Sequence, residues 1–222
     1  MTLGRLSPLQ EHVLQVLAGM VPPWTLSGGG ALVGFHTKHR DTRDLDLFWQ
    51  QQAALGDAPD RVRERLLGAG LSVSPLQTHA AFCSLKVDGA NGQTVILDLV
   101  ADPVPLAEPP RHQAAAGVSF LIDTPHQILV NKLCALLGRA EPRDLEDVQA
   151  LLESGGDLAR ALADCPKQDG GFSPLTLAWT VQSLPLARLA TALGWAPERI
   201  ERVSKFQLRL VEGLLSQSRP EA

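Results

Sequence analysis

Residues 26–32 read LSGGGAL and residues 39–48 read HRDTRDLDLF, and these two segments carry most of the information about the fold. The second has the composition of a β-strand from Asp44 onward, and side chains two positions apart on a strand leave on the same face. Asp44 and Asp46 therefore share a face, where they repel each other unless a cation lies between them. Their oxygens suit a hard divalent ion such as Mg²⁺, and the glycines allow a phosphate to approach the backbone closely. A metal ion beside a phosphate-binding turn is the arrangement typical of a site that acts on nucleotides.

A third carboxylate strengthens the metal hypothesis. Asp98 lies within the segment VILDLV at 95–100, which has strand composition and is otherwise apolar on both faces. Aspartate is depleted in strands, and a buried carboxylate needs a cation or a hydrogen-bond partner. As an alternative, Asp98 could be a capped aspartate at the end of its strand. The pair Asp44 and Asp46 alone would also fit a solvated edge strand. Because acids on neighbouring strands can complete one oxygen-rich site, we favour metal binding.

The glycine run at 28–30 has two compatible roles. It can simply turn a strand into a helix, and the N–H groups at the start of that helix can also bind an anion. The dinucleotide motif G-x-G-x-x-G and the P-loop motif G-x-x-x-x-G-K-[ST] are both absent from the sequence. The chain is therefore not expected to adopt a Rossmann or P-loop fold.

Composition places the chain among ordinary globular proteins. Its 222 residues are 45% hydrophobic and 20% charged, with a net charge of −4, which argues against broad electrostatic capture of nucleic acid. A small basic patch of Lys38, His39, Arg40 and Arg43 lies beside the acids and could attract phosphates or simply offset their charge. The sequence has no recognisable signal peptide and no apolar run long enough to span a membrane, so we expect a cytoplasmic protein with no membrane partner. Its cysteines are odd in number and widely spaced, so we expect reduced thiols.

Hydrophobic periodicity and turn residues predict an α+β protein. Residues 1–122 are expected to form an α/β core with a mixed β-sheet and flanking helices, and residues 123–222 a mainly helical C-terminal part. A proline-rich loop at 103–110 is the candidate boundary between the two halves. Helices are predicted from Ser7 and over 31–35, 57–69, 124–137, 142–152 and 197–217, and strands over 24–26, 44–49, 71–76, 81–87, 94–100 and 119–122.

Two helices in the second half have clear local signals. Thr124, Pro125 and Gln127 fit a capping box with proline at the first helical position, so a helix is expected to begin there. The segment 197–217 has apolar residues at spacings of three and four, which predicts an amphipathic helix. That helix is expected to pack on the domain, with binding to a partner protein as the alternative.

Two further motifs complete a family resemblance. Residues 132–136 read KLCAL, Arg139 follows, and residues 143–147 read RDLED. Together with the glycine run and the paired acids, they resemble the AbiEii/AbiGii toxin family of nucleotidyltransferases, a branch of the DNA polymerase β-like superfamily. The matching pieces run from about residue 24 to residue 152. The resemblance implies a nucleotidyltransferase-type mixed sheet whose acids hold Mg²⁺, with the helical C-terminal part completing the nucleotide cleft.

The resemblance also assigns roles to individual residues. It implies three metal ligands, namely Asp44, Asp46 and Asp98. Of these, Asp98 would also take a proton from the attacking hydroxyl. It implies nucleotide contacts at Gly28, Gly29, Lys132 and Arg139. Lys132 would face the triphosphate, while Arg139, seven residues further along the same helix face, would be left for the base, the ribose or the acceptor.

Structural alternatives exist for the motifs of the second half. Lys132 and Arg139 could be ordinary cations on a solvated helix. Arg143 and Asp147 can pair at a spacing of four residues, and Asp144 favours a helix N-terminus by its charge alone. Without the resemblance, the RDLED block would be interpreted as structural.

The function expected from these observations is Mg²⁺-dependent transfer of NMP from an NTP to a hydroxyl of an RNA (tRNA-like) or a protein, with two ions engaged when NTP is bound. The resemblance further implies the toxin of a toxin–antitoxin or phage-defence pair, with a cognate antitoxin protein as partner. The glycine turn lacks the serine or threonine found in many superfamily members. One alternative is therefore a catalytically inactive nucleotide- or partner-binding module, and another is a small-molecule (antibiotic) nucleotidyltransferase.

Overall fold

A computed structural model describes residues 5–115 and 117–217. The chain divides into two compact units, and the division falls after Ile128. Each unit is described separately below.

The first unit is built on a mixed β-sheet. In the described residues the sheet has seven strands in the order β3-β4-β5-β2-β1-β7-β6. The pairs β2–β5 and β1–β7 are parallel, and the remaining neighbours are antiparallel. The strands are β1 (Thr25–Ser27), β2 (Asp44–Gln50), β3 (Ser72–Thr78), β4 (Phe82–Asp88), β5 (Thr94–Asp102), β6 (Arg111–Ala115) and β7 (Val118–Ile122).

Helices flank this sheet. They are α1 (Pro8–Leu17), α2 (Gly28–Ala31), which continues as a π-helical turn (Leu32–His36), and α3 (Ala58–Gly68). Ser7 caps α1 in a capping box with Gln10, and α1 packs against α3. The predicted short helix at 31–35 therefore exists, but it begins at Gly28 and ends in a wider, π-helical turn.

Strand β2 follows the predicted alternation. Leu45, Leu47 and Trp49 are fully buried, whereas Asp44 and Asp46 lie on the partly exposed face. Because successive strand side chains point to opposite faces, one face of β2 joins the core and the other is available for polar chemistry.

One outer edge of the sheet is irregular. Strand β3 is the edge strand, and its side chains are almost all exposed. Its pairing with β4 shifts register between Pro75 and Gln77, which is a β-bulge.

The strand β6 was not predicted. It lies directly after the proline-rich loop at 103–110, pairs with β7, and belongs to the same sheet as β1. That loop therefore lies within the first unit and is not a boundary between halves.

The second unit is helical in its described part. Helix α4 (Pro125–Arg139) begins just before the division and continues into this unit. It is followed by α5 (Pro142–Glu153), α6 (Leu158–Gln168), α7 (Pro174–Ser183), α8 (Leu186–Ala192) and α9 (Pro197–Gln217). Helices α5, α7 and α8 pack against α9. The expected α+β class, with a mainly helical C-terminal part, is confirmed.

The amphipathic helix predicted over 197–217 is confirmed as α9. Val203, Phe206, Leu210 and Leu214 are buried, at spacings of three and four residues. Burying one apolar stripe against neighbouring helices is what stabilises a helix of this composition. None of the helices in residues 5–115 and 117–217 combines the length and apolar character needed to cross a membrane.

The start of α4 confirms the predicted cap. The Thr124 hydroxyl accepts a hydrogen bond from the Gln127 backbone N–H at 3.2 Å. The Gln127 side-chain oxygen also accepts from the backbone N–H groups of Ala107 and Glu108, at 2.7 and 3.1 Å. This glutamine therefore fastens the end of the proline-rich loop to the helix start.

Candidate active site

The three predicted acids lie on adjacent strands and share one face of the sheet. Strands β2 and β5 are parallel with Asp46 directly opposite Asp98, and Asp44 is two positions before Asp46. Residues paired across neighbouring strands point to the same face, and the strands lie roughly 4.8 Å apart. The flanking Leu97 and Leu99 are fully buried on the opposite face. The sheet therefore brings the three carboxylates to neighbouring positions.

Asp98 has an incompletely satisfied carboxylate. Its Oδ1 is buried and has no hydrogen-bond partner among the described residues. Burial raises the pKa of Asp98, the Ser84 hydroxyl opposite it on β4 lowers this pKa, and the negative charge of Asp44 raises it further. A buried oxygen without a donor is costly, so this oxygen is suited to a cation or a proton.

Gly28 brings the main chain against Asp46. Gly28 has a φ of +59°, and a Cβ atom placed on it would lie 2.0 Å from Asp46 Oδ2. Strand β1 ends at Ser27, which pairs with Asp46, so helix α2 begins at the acidic face of the sheet. Glycine is required here both for its positive φ and for the close approach of the carboxylate.

The neighbouring Gly29 is covered by a buried cation. A Cβ on Gly29 would lie 3.0 Å from Arg40 Nη2 and 3.2 Å from Thr42 Oγ1. Arg40 is buried, and its Nη1 donates to the Asp41 carbonyl at 3.0 Å. Arg40 belongs to the basic patch that the sequence places beside the acids. Its side chain is nevertheless buried against the glycine turn, which the spacing of the residues does not indicate.

The donor chemistry of this face suits a hard divalent ion, since it offers three carboxylates. One of them, Asp98, has a buried oxygen that no described residue hydrogen-bonds. Within the described part of the chain, no group of three or more His, Cys, Asp or Glu side chains is gathered closely enough to form a ready-made metal site. The structure thus shows carboxylates on adjacent strands rather than a closed coordination cage.

In the second unit, the predicted Lys132 takes part in a buried ion-pair network. Its Nζ lies 2.7 Å from Asp144 Oδ1 and 2.8 Å from Asp147 Oδ2, and both carboxylates are almost fully buried. Arg139 adds a two-pronged contact to Asp144, with Nε at 2.7 Å from Oδ2 and Nη2 at 2.9 Å from Oδ1. The network joins α4 to α5.

The network sets the charge states of its members. Burial alone would lower the pKa of Lys132, but the charges of Asp147 and Asp144 outweigh it and raise the pKa. Burial alone would raise the pKa of Asp144, but hydrogen bonds from Arg139 and the charge of Lys132 hold the pKa below its usual range. Lys132 and Asp144 are therefore both charged at neutral pH.

A comparison with known protein families identifies the family of this chain. The family model described as "Nucleotidyl transferase AbiEii toxin, Type IV TA system" matches residues 14–201. The chain belongs to this family. The AbiEii resemblance inferred from the glycine run, the paired acids and the RDLED block is confirmed, and the chain is a nucleotidyltransferase.

Two solved structures share the fold of this AbiEii protein. JHP933 from Helicobacter pylori is 18% identical, with a TM-score of 0.55 and 96% of each chain covered. MenT4, a nucleotidyltransferase toxin from Mycobacterium tuberculosis H37Rv, is 18% identical, with a TM-score of 0.60, covering 96% of this chain and 91% of MenT4. At this identity the likeness shows a shared fold. Comparison with curated protein sequences gives no match.

The RDLED block of this AbiEii protein contains a third buried acid. Glu146 is buried and accepts hydrogen bonds from Arg199 and Arg202 of α9, with Arg202 Nη2 2.8 Å from Oε1. The Arg199 guanidinium also lies 3.8 Å from the centre of the Trp195 ring. The three acids of the block therefore hold α5 to two other helices, which agrees with the structural interpretation of this motif.

A cavity of about 400 Å³ opens beside Arg139 in the second unit. Its wall combines Arg139, Glu141 and Arg143 with Leu189 of α8 and Leu193, which directly follows α8. Arg139 thus lines the cavity while two hydrogen bonds hold its guanidinium to Asp144.

Proposed function

We propose that this AbiEii nucleotidyltransferase transfers NMP from an NTP to a hydroxyl group of an RNA, tRNA-like, or of a protein, in a reaction that requires Mg²⁺. The observation that carries the proposal is the parallel register that sets Asp46 opposite Asp98, with Asp44 on the same face. The approach of Gly28 to Asp46 supports it, because the glycine turn proposed to bind phosphate lies directly beside one of the acids.

Asp44, Asp46 and Asp98 are the residues that would hold Mg²⁺, two ions when NTP is bound. The metal would supply neutralisation of the triphosphate charge. The unpartnered Asp98 Oδ1 supports this donor set, as does the repulsion that Asp44 exerts on Asp98.

Asp98 is also the proposed proton acceptor. The acceptor hydroxyl oxygen forms a bond to the α-phosphorus, the bond from that phosphorus to the pyrophosphate oxygen breaks, and the hydroxyl proton passes to Asp98. Burial and the charge of Asp44 raise the pKa of Asp98, so it holds a proton more readily than an exposed aspartate. Positioning of the two reactants and stabilisation of developing charge account for most of the rate in such displacements.

The nucleotide contacts remain proposals. The backbone N–H groups at Gly28 and Gly29 suit phosphate oxygens, and Arg40 beneath Gly29 adds positive charge to that turn. We propose that Lys132 binds the triphosphate and that Arg139 binds the base, the ribose or the acceptor. The exposure of Arg139 beside the cavity supports the second assignment.

The biological role follows from the family. The AbiEii family description names a toxin of type IV toxin–antitoxin systems. We therefore propose that the chain acts as the toxin of such a pair and that a cognate antitoxin protein opposes it.

A labelling experiment tests the proposal. The protein would be incubated with Mg²⁺ and each α-labelled NTP in turn, with total tRNA in one arm and RNase-treated lysate in the other. Label is expected in RNA or protein for at least one NTP, and it is expected to be lost in Asp46→Asn and Asp98→Asn. Asp60→Asn, an exposed carboxylate of α3, is the matched control and should keep the activity. Absence of Asp46-dependent product in both arms with all four NTPs would refute the proposal.

A further inference from the structure

Two thiols of the second unit contact each other's helices. Cys134 of α4 directs its Sγ to the Cys165 carbonyl at 3.9 Å, and Cys165 of α6 directs its Sγ to the Val130 carbonyl at 3.9 Å. Val130 precedes Cys134 by one helical turn, so the two sulfur atoms lie between the same segments of α4 and α6.

The two thiols differ in access to solvent. Cys134 is half-buried, whereas Cys165 is fully buried. A small oxidant can therefore reach Cys134 first, with Cys165 already in place behind it. We propose that Cys134 and Cys165 form an oxidation site, at which a peroxide reacts with Cys134 and Cys165 then closes an intramolecular disulfide between α4 and α6.

The chemistry balances with hydrogen peroxide as the only co-reactant. The Cys134 thiolate attacks one peroxide oxygen, the O–O bond breaks, and water leaves after protonation, so that Cys134 becomes a sulfenic acid. The Cys165 sulfur then attacks the Cys134 sulfur, and the S–O bond breaks. The leaving hydroxide takes the Cys165 proton and departs as a second water. Two thiols lose two electrons and two protons, and one peroxide is reduced to two waters.

The pKa values of the two thiols favour this order. The proximity of Cys165 lowers the pKa of Cys134 despite burial, and the proximity of Cys134, together with burial, raises the pKa of Cys165. The thiolate is the reactive form, so Cys134 is the attacking group and Cys165 the resolving one.

The third cysteine provides an internal control. Cys83 is buried on β4 of the first unit, and burial raises its pKa. It is therefore expected to react slowly, by about tenfold or more relative to Cys134.

Peptide mapping of the full-length protein tests the proposal. Reduced protein would be treated with hydrogen peroxide, quenched and alkylated, and the cysteine peptides measured by mass spectrometry. A linked Cys134–Cys165 peptide pair is expected, about 2 Da lighter than the sum of the reduced peptides, while Cys83 remains alkylated. The variant Cys83→Ser should form the same link.

A resolving-cysteine variant separates this site from simple surface oxidation. In Cys165→Ala, Cys134 is expected to accumulate a sulfenic acid that dimedone traps, at a level well above that in the wild type. The proposal is overturned if Cys134 and Cys165 of the wild type both stay alkylatable while Cys83 is oxidised. If Cys165→Ala does not fold, Cys134→Ser serves instead, and loss of the Cys165 thiol at the wild-type rate in that variant would equally overturn it.

Discussion

The main chain at Gly28 lies so close to the carboxylate of Asp46 that a methyl group on Gly28 would overlap Oδ2 of Asp46, at 2.0 Å. The glycine turn and the acidic face are therefore one packed unit, and neither can move without displacing the other. This contact joins the segments 26–32 and 39–48, from which most of the fold was inferred.

Substitution of this glycine is expected to abolish activity. In Gly28→Ala the new methyl must push the Asp46 carboxylate away from its place beside Asp98, so product formation should fall about 100-fold or more, as expected for a misplacement of roughly 1 Å. Rates of label transfer, measured at several Mg²⁺ concentrations, would check it.

Gly70→Ala is the matched control for that variant. Gly70 also has a positive φ, +80°, but a Cβ there meets no atom within 4 Å. Both variants carry a similar backbone strain of about 1 kcal/mol, and only Gly28→Ala disturbs a carboxylate. Equal loss of activity in the two would mean that the contact with Asp46 has no role.

A buried acid at the end of β7 gives a pH-dependent prediction. Burial raises the pKa of Asp123 to about 6, a nearby Ser27 hydroxyl lowers it in part, and the charge of Asp102 raises it. The folded protein therefore binds this proton more tightly than the unfolded chain does. Stability contributed by the protonated form is present at low pH and is lost as the pH rises through about 6.

The variant Asp123→Asn should remove this loss of stability at high pH, because asparagine does not ionise. Relative to the wild type, the variant is expected to be more stable by on the order of 2 kcal/mol at pH 8, with a smaller gain at pH 5. Urea unfolding of both proteins at the two pH values measures the free energy of unfolding. His36 also titrates nearby, since its Nε2 hydrogen-bonds with the Asp123 carbonyl, and subtracting the wild-type value at each pH cancels that contribution. A gain of the same size at both pH values would show that the Asp123 charge is not responsible.

The buried lysine gives a prediction for stability. Lys132→Met leaves Asp144 and Asp147 without their shared cation, and removal of one member of a buried ion pair costs about 3–5 kcal/mol. Lys205→Met is the matched control, since Lys205 pairs with Glu201 on the exposed face of α9 and should change stability little. Urea unfolding distinguishes the two. An unaltered unfolding curve for Lys132→Met, with loss of NTP binding, would assign Lys132 to the ligand alone.

The N-cap of α4 is a third stability determinant. Thr124→Ala removes the hydroxyl that accepts the Gln127 backbone N–H and is expected to destabilise the protein by about 1 kcal/mol. Thr180→Ala on the exposed part of α7 removes a hydroxyl bonded only to the preceding turn, at Thr176, and should have a smaller effect. Thermal unfolding of both variants checks the comparison.

Much of the fold could be predicted because its signals are local. The alternation in β2, the cap at Thr124 and the apolar stripe of α9 each arise from neighbouring residues, and each agrees with the structure. Strand β6 could not be predicted, because its exposed, polar sequence RHQAA has no alternation and it is a strand only through pairing with β7.

The candidate site depends on local strand geometry and also on long-range contacts between strands and helices. The shared face of Asp44 and Asp46 follows from strand geometry, but the alignment of Asp98 with Asp46 depends on a register between distant strands. The inward position of Arg40 and the ion pairs of Lys132 also arise from long-range packing, which the spacing of residues does not encode.

The bulge at Pro75 has a consequence for how copies of this protein meet. An exposed edge strand ordinarily offers a row of unpaired main-chain groups on which a neighbouring chain can assemble. Proline lacks an amide hydrogen, and the register shift beside it breaks the even spacing of the remaining groups. This edge of the sheet is thereby a poorer template for edge-to-edge pairing with another chain.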